Sequence, residues 1–418
     1  MLTKVALEVL KSRYFLKNEE GEIIEDFDKL AFRVAKAISE ADKVFDPKAQ
    51  ITRTIDKFYD LIFNLKFLPN TPTLMNAGTK NGQLAACFVL PIEDSLKSIF
   101  NTLKYTALIH QSGGGTGFSF SKLRPKGDTV SSTHGVSSGP VSFMKIFDIA
   151  TSIIKQGGKR RGANMGILRV DHPDIFEFIA CKDSLDAFKN FNISVGLTKD
   201  FLLSLKNQGN INLVNPRTKK VEKVIAAKEI FENIVYYAWK TGDPGIINLD
   251  TINSTNPTPQ LGQIEATNPC GEQPLLPYES CTLGSINLTK FIKNNNIDYE
   301  SLEKTVFDAV HFLDNVVELN RYPINAIEKM SKKTRKIGLG VMGFADLLIL
   351  LNIPYESQAA LSLAGDLMKF INERAVIKSR ELAKKRGAFP AFSKSIYANK
   401  NEPERRNATV TTIAPTGT

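Results

Sequence analysis

An α/β protein led by a small helical segment is what this chain of 418 residues predicts. Three observations carry the prediction. Up to about residue 60, apolar side chains recur at helical spacing among many charges. From Leu65 onward, short apolar runs alternate with amphipathic helical runs. Glycine-rich turns punctuate that alternation. The expected division is a helical domain over residues 1–62 and an α/β domain over residues 63–418.

In the first segment, Phe32, Val34, Ala35 and Ile38, then Ile51, Ile55, Phe58 and Ile62, mark helices. The next predicted helix has the face Leu96, Ile99, Phe100, Leu103, Ala107 and Leu108, with Asp94 as its cap and Gly113 as its end. Phe143, Phe147, Ala150 and Ile154 mark another, stopped by Gly157 and Gly158. Ile230, Phe231, Ile234, Val235, Ala238 and Trp239 mark a third, and Leu302, Val306, Val310, Leu313 and Val317 a fourth. A fifth spans roughly residues 358–385. Strands are expected over 117–122, 166–170, 192–197 and 409–414. Strands alternating with helices imply parallel βα units wound into a sheet or barrel.

Composition narrows the function. Hydrophobic residues make up 42% of the chain, so a sizeable core can be buried. No apolar run is long enough to span a bilayer, and residues 1–9 lack the pattern of a secretory signal, so a soluble, cytoplasmic protein is expected. The net charge of +10 fits a lysine-rich surface, and such a field also attracts anions such as nucleotide phosphates. The basic residues are scattered and no nucleic-acid module is recognisable, so nucleic acid is not an expected partner. The four cysteines, Cys87, Cys181, Cys270 and Cys281, form no C-x-x-C pair, and the histidines His110, His134, His172 and His311 show no metal spacing. No metal site is expected. The histidines are read as structural or surface residues, and Cys181, following Ile175, Phe178 and Ile179, as core.

The densest chemistry lies in residues 268–281, Asn-Pro-Cys-Gly-Glu-Gln-Pro-Leu-Leu-Pro-Tyr-Glu-Ser-Cys. Asn268, Cys270 and Glu272 stand at alternate positions. In an extended segment their side chains would share a face, giving one site a hydrogen-bonding amide, a sulfur capable of one-electron chemistry and a general base. That set suits chemistry on a polyol such as ribose.

Three further segments look ligand-directed. Gly113-Gly-Gly-Thr-Gly117 follows a helix and precedes a strand, the reverse of a dinucleotide-binding turn, and it lacks the Lys-Ser/Thr of a phosphate-binding P-loop. It reads as a turn, or as a place where backbone approaches a ligand closely. Gln156-Gly-Gly-Lys-Arg-Arg-Gly-Ala-Asn-Met-Gly166 combines glycines with three cations and favours a loop closing on phosphates or bases. Asn407-Ala-Thr-Val-Thr-Thr-Ile-Ala-Pro-Thr-Gly-Thr418 ends on hydroxyls and a glycine that suit a phosphate.

Taken together these motifs resemble the catalytic subunit of ribonucleotide reductase, most of all its class II, adenosylcobalamin-dependent form. The matching stretches are residues 68–78, 83–87, 110–120, 157–166, 268–288 and 407–418, in the family's order. The resemblance implies a ten-stranded α/β barrel with a central finger loop, incomplete at the C-terminal end of this sequence and preceded by the helical domain. It places Cys270 at the fingertip as the thiyl radical that takes the ribose 3′-hydrogen. Glu272 is the general base for the 3′-hydroxyl, Asn268 holds the sugar hydroxyls, and Cys87 with Cys281 supply two electrons and become a disulfide. Substrate contacts carried over by position are Thr71, Ala86, Cys87, Gly115, Asn268, Pro269, Cys270, Gly271 and Glu272. Pro415, Thr416, Gly417 and Thr418 form the phosphate turn. Gly158, Lys159, Arg160, Arg161, Gly162, Ala163 and Asn164 match the specificity loop.

Adenosylcobalamin is the implied cofactor. The implied partners are a ribonucleotide substrate, a deoxynucleoside triphosphate effector near residues 143–156, a second copy in a homodimer, and a thioredoxin-like or dithiol reductant. Family barrels continue past the Pro-Thr-Gly-Thr turn, so the resemblance also implies a gene fragment, a second chain that completes the barrel, or an intein-interrupted gene. Two other readings stay open on the residues: a class I large subunit served by a separate radical-generating protein, and a non-catalytic nucleotide-binding half-barrel.

Overall fold

The computed structural model describes residues 2–130, 135–154, 162–184 and 186–416. Two compact units make up the chain, Met1–Ala86 with Ser280–Thr418, and Cys87–Glu279.

Helices dominate the first unit. Helix Phe27–Ser39 starts where the Asp26 carboxylate accepts the Lys29 N–H at 2.8 Å, and it buries Leu30, Ala31, Val34, Ala35 and Ile38. Phe32, expected on that face, is exposed. Helix Thr52–Phe63 buries Phe58, Leu61 and Ile62. The Phe312 ring meets Phe58 edge-on at 5.0 Å and Phe67 at 5.5 Å, the favoured aromatic arrangement. Phe312 lies on helix Tyr299–Leu319, whose predicted face Leu302, Val306, Val310, Leu313 and Val317 is buried throughout. Helix Gln358–Arg386 begins at a Ser357 cap and stops at Gly387, matching its predicted span.

In this unit, strand Phe67–Pro69 runs antiparallel to Leu283–Asn287, which runs parallel to Gly338–Met342. The expected strand over 409–414 is reduced to a bridge. The Leu339 N–H donates to Val410 at 2.8 Å, and the Thr412 N–H donates to Leu339 at 3.1 Å. Pro415 has no N–H with which to carry the ladder further.

The second unit holds a parallel sheet. From one edge its strands are Gly245–Asn248, Phe191–Leu197, Asn164–Arg169, Gly115–Ser119 and Cys87–Val89. Parallel neighbours need crossovers, and helices Leu96–Ser112, Pro140–Ile153 and Ile175–Ile179 supply three of them. Burial runs nearly unbroken along the inner strands, as expected when both faces are covered.

Two helix readings need correction here. Ser95, not Asp94, caps helix Leu96–Ser112, accepting the Ser98 N–H at 3.2 Å. Asp94 instead binds the Arg124 Nε at 2.8 Å. The buried face of that helix is Ile99, Thr102, Thr106, Ile109 and His110, while Leu96, Phe100 and Leu108 are exposed. Helix Ala227–Thr241 buries Ile230 and Ile234 but leaves Phe231, Val235 and Trp239 exposed. Among the described residues the strands form open sheets, and no closed barrel is present.

Candidate active site

Residues 266–275 form a hairpin. Strand Ala266–Thr267 pairs antiparallel with Pro274–Leu275, leaving residues 268–273 as its tip. The tip is a tight turn rather than an extended segment. The Gly271 N–H reaches the Asn268 carbonyl at 3.1 Å, and Gly271 adopts φ +85°, a conformation that glycine takes without strain. The alternate-face argument for Asn268, Cys270 and Glu272 therefore fails locally. The turn buries Asn268, half-buries Glu272 and exposes Cys270.

Asn268 organises the tip. Its Oδ1 accepts the Gln273 N–H at 2.9 Å, and its own N–H donates to the Gln273 carbonyl at 3.2 Å. The Thr267 hydroxyl donates to the Asn268 carbonyl at 3.0 Å. The Asn268 Nδ2 is fully buried and has no hydrogen-bond acceptor among the described residues. Asn192 Nδ2 donates to the Pro269 carbonyl at 2.7 Å, tying the tip to strand Phe191–Leu197. On strand Gly115–Ser119 a Cβ at Gly117 would overlap the Thr267 carbonyl oxygen, so glycine there allows the hairpin to lie against the sheet.

Cys87, Gly115 and Asn164 each open a strand, and Cys87 stands opposite Gly115 in register, as Thr116 does opposite Asn164. These candidate residues thus gather at the amino ends of adjacent strands. Beyond the carboxyl ends lies an open cavity of about 540 Å³, whose lining includes Lys122, Arg169 and Arg217. Each of these cations already has a carboxylate partner: Glu93, Asp171 and Asp128 respectively.

Of the specificity-loop residues, Gly158, Lys159, Arg160 and Arg161 lie outside the described residues, as do the helix-stopping Gly157 and Gly158. Ala163 accepts the Thr116 N–H at 3.1 Å, and the Asn164 N–H donates to Asn190 at 2.8 Å. Sequence reasoning missed a buried polar chain beside them. His110 Nε2 lies 3.1 Å from the Thr116 hydroxyl, which donates to Asn164 Oδ1 at 2.6 Å. Asn164 Nδ2 in turn donates to the Thr151 hydroxyl at 2.9 Å. Burial holds the His110 ring neutral, with its pKa lowered to about 4. The available signal was polar residues at helical spacing, Thr102, Thr106 and His110, on a helix expected to bury only apolar ones.

In the first unit, Thr71 opens helix Thr71–Asn76, and its hydroxyl lies 3.0 Å from the Tyr14 hydroxyl. The Ala86 N–H donates to the Cys281 carbonyl at 3.2 Å. The preceding residues are fixed by Asn320 Oδ1, which accepts the Leu84 N–H at 2.5 Å and the Ala85 N–H at 3.3 Å. Cys281 is buried and Cys87 half-buried. Cys181 is half-buried, and burial pushes its thiol up to about 12, as suits an unreactive side chain. Pro415 and Thr416 are exposed, while Gly417 and Thr418 lie outside the described residues. Among the described residues no cluster of His, Cys, Asp or Glu could hold a metal ion, and no helix is long and apolar enough to cross a membrane.

Residues 1–82 match the ribonucleotide reductase all-alpha domain, and residues 85–418 match the ribonucleotide reductase barrel domain. A vitamin B12-dependent ribonucleoside-diphosphate reductase of Thermoplasma acidophilum is 50% identical across 100% of this chain and 62% of its own length. One of Mycobacterium tuberculosis is also 50% identical, across 100% of this chain and 60% of its own. A ribonucleoside-diphosphate reductase subunit alpha of Chlamydia pneumoniae is 31% identical over 81% of this chain. The chain spans about three-fifths of the length of the first two relatives. With a barrel-domain match over most of its residues, the chain belongs to the ribonucleotide reductase family.

Proposed function

We propose that this chain carries the radical-bearing part of an adenosylcobalamin-dependent reductase that converts ribonucleotides to 2′-deoxyribonucleotides. The observation that carries the reading is the hairpin tip. A buried amide there has two N–H donors with no acceptor among the described residues, next to an exposed thiol. A ribose hydroxyl would meet those donors, and burying them without such a partner costs about 1–3 kcal/mol.

The exposed Cys270 thiol fits a radical source that must reach the sulfur from outside the chain. When bound, adenosylcobalamin supplies the one-electron chemistry that removes the thiol hydrogen atom. Cys270 then takes the ribose 3′-hydrogen atom, Glu272 accepts the 3′-hydroxyl proton, and Asn268 Nδ2 orients the sugar. The 2′-hydroxyl leaves as water. Cys87 and Cys281 give up two electrons and two hydrogens and become a disulfide, and Cys270 returns its hydrogen atom to C3′ of the product radical, which leaves Cys270 as the thiyl radical again. In sum, ribonucleotide and dithiol give deoxyribonucleotide, disulfide and water.

In this reading residues 1–62 are the helical domain and residues 63–418 the front of a ten-stranded barrel with the hairpin as its finger. Thr71, Ala86 and Gly115 line the substrate, and Pro415 to Thr418 take its phosphate. Residues 158–164 relay the identity of a deoxynucleoside triphosphate bound near helix Pro140–Ile153 in a homodimer. A thioredoxin-like or small dithiol reductant resets the cysteines in the cytoplasm.

The test is deoxyribonucleotide formation by the full chain, with adenosylcobalamin and a dithiol present. Cys270→Ser should abolish turnover while nucleotide binding survives, because a serine oxygen is a poor radical carrier. Turnover by that variant, or wild-type turnover indifferent to adenosylcobalamin, would sink the reading. Cys281→Ser should allow radical formation yet block repeated cycles.

A further inference from the structure

We propose that His110, Thr116, Asn164 and Thr151 form a positioning relay through which helix Pro140–Ile153 sets the strand end that carries Gly115. The inference rests on the reading above, in which Gly115 lies against the substrate and a nucleotide effector binds near that helix. It extends the proposed 158–164 relay beyond that loop, since Asn164 is joined there to His110, Thr116 and Thr151.

Strand Gly115–Ser119 has two working faces. Alternate residues point to opposite sides, so Gly115 and Gly117 share one face and Thr116 occupies the other. The first face meets the hairpin, because Gly117 gives room to the Thr267 carbonyl. On the second face the Thr116 hydroxyl contacts both His110 of helix Leu96–Ser112 and Asn164 of the adjacent strand. A rotation of this strand end would therefore be felt at the hairpin and at the helices together.

The direction of every hydrogen bond in the relay is determined. Thr116 has one hydroxyl hydrogen, and Asn164 Oδ1 takes it at 2.6 Å. Thr116 must then accept from His110, so Nε2 carries the ring hydrogen and Nδ1 is the bare nitrogen. Asn164 Nδ2 donates to Thr151, whose own hydrogen goes to the Phe147 carbonyl at 2.7 Å. The sequence runs from the helix backbone at Phe147, through Thr151 and Asn164, to Thr116 beside Gly115. Displacing the helix would take the Thr151 hydroxyl from Asn164 Nδ2 and leave that buried amide without its acceptor.

Burial makes the relay costly to disturb. His110, Thr116 and Asn164 are fully buried and Thr151 is 2% exposed, so a broken bond leaves a polar atom in an apolar setting. Among the described residues His110 Nδ1 has no partner. Gly162 crosses both ends of the relay. A Cβ there would stand 2.5 Å from Thr151 Cγ2 and 3.0 Å from His110 Nδ1. The backbone entering strand Asn164–Arg169 thus rests directly on the relay.

The experiment measures coupling, which a merely structural role would not move. Calorimetry on the full chain gives the affinity for a nucleoside diphosphate with and without a saturating deoxynucleoside triphosphate. Their ratio is the coupling factor, on the order of tenfold for a typical allosteric pair. Thr151→Val removes the hydroxyl but keeps the shape, and should bring the ratio to about one with the unfolding transition still cooperative. Thr151→Ser should restore the ratio. Thr116→Val cuts the same chain at its other end and should match Thr151→Val, which keeps the test open if either variant folds poorly. A wild-type ratio in a folded valine variant overturns the relay, as does an uncoupled wild type that binds both nucleotides. Failure of the wild type to bind any nucleotide overturns instead the functional reading beneath it.

Discussion

The hairpin tip and the ion cluster around Asp314 treat buried polar atoms in opposite ways. At the tip, Asn268 spends its Oδ1 on the turn, and its Nδ2 has no partner among the described residues. Around Asp314 both carboxylate oxygens are filled. Arg335 donates from Nε at 3.0 Å and from Nη2 at 2.9 Å, Arg386 from Nη1 at 2.9 Å, and Asn407 from Nδ2 at 3.1 Å. The three guanidiniums of Arg386, Arg406 and Arg335 also surround the Phe45 ring, at 4.6, 4.9 and 6.0 Å from its centroid. One region is finished by the protein itself, and the other leaves a buried donor unmet among the described residues. The difference teaches where stability and activity should separate: substitutions at Asp314 should unfold the protein, and substitutions at the tip should spare the fold.

The largest effect should come from Asp314→Ala. Removing the central carboxylate leaves three buried guanidiniums facing one another, and breaking a buried ion pair from one side costs about 3–5 kcal/mol. Urea unfolding measures it directly. A loss under about 1 kcal/mol would mean that the cluster is not the lock described here, and the contrast with the tip would collapse.

Acid titration sharpens the same contrast, because two buried groups should lose stability in separate pH windows. His110 has a folded pKa lowered to about 4 from 6.5 by burial. The unfolded chain therefore gains a proton first, and stability falls as pH drops from 6.5 towards 4, by on the order of 3 kcal/mol. Burial alone would raise the Asp314 carboxyl, yet Arg335, Arg406 and Arg386 hold it at about 2 against an ordinary 3.8. Its contribution, on the order of 2 kcal/mol, is complete above 3.8 and is lost as pH falls through about 2. His110→Gln should flatten the upper window only, and Asp314→Asn the lower one only. A single window that responds to both variants would contradict the assignment.

How far the sequence revealed these regions depended on how local their physics is. The helix Gln358–Arg386 was legible at both ends because a serine cap and a terminal glycine act within one turn. The apolar face of helix Tyr299–Leu319 was legible from spacing, but Asp314 in its middle was not read as a buried anion. Its partners Arg335, Arg386 and Arg406 lie far along the chain, and only the closed fold brings them together. Residues 268–272 were legible as chemistry and illegible as shape. A period-two argument assumes extended backbone, and the positive φ of Gly271 turned the segment into a hairpin tip. The buried face of helix Leu96–Ser112 was misjudged for a related reason. Thr102, Thr106 and His110 are buried by virtue of partners that apolar periodicity cannot register.

The smallest effect on stability should be Asn268→Ala, and it tests the contrast from the other side. Alanine removes one satisfied bond, from the Gln273 N–H to Oδ1 at 2.9 Å, and with it an amide whose donors have no partner among the described residues. The expected cost is about 1 kcal/mol, since one group loses an acceptor while another unmet polar group disappears. Activity should respond far more. If Nδ2 orients a ribose hydroxyl during hydrogen abstraction, losing it should lower kcat/KM by roughly a hundredfold, mostly through kcat, because misplacing the reacting atoms costs about that much. Unfolding and turnover measured on the same preparation decide the matter. A variant that is strongly destabilised would make Asn268 a structural residue like Asp314, whereas a stable variant with depressed kcat identifies the unpartnered amide as the place where the fold leaves its bonding to the substrate.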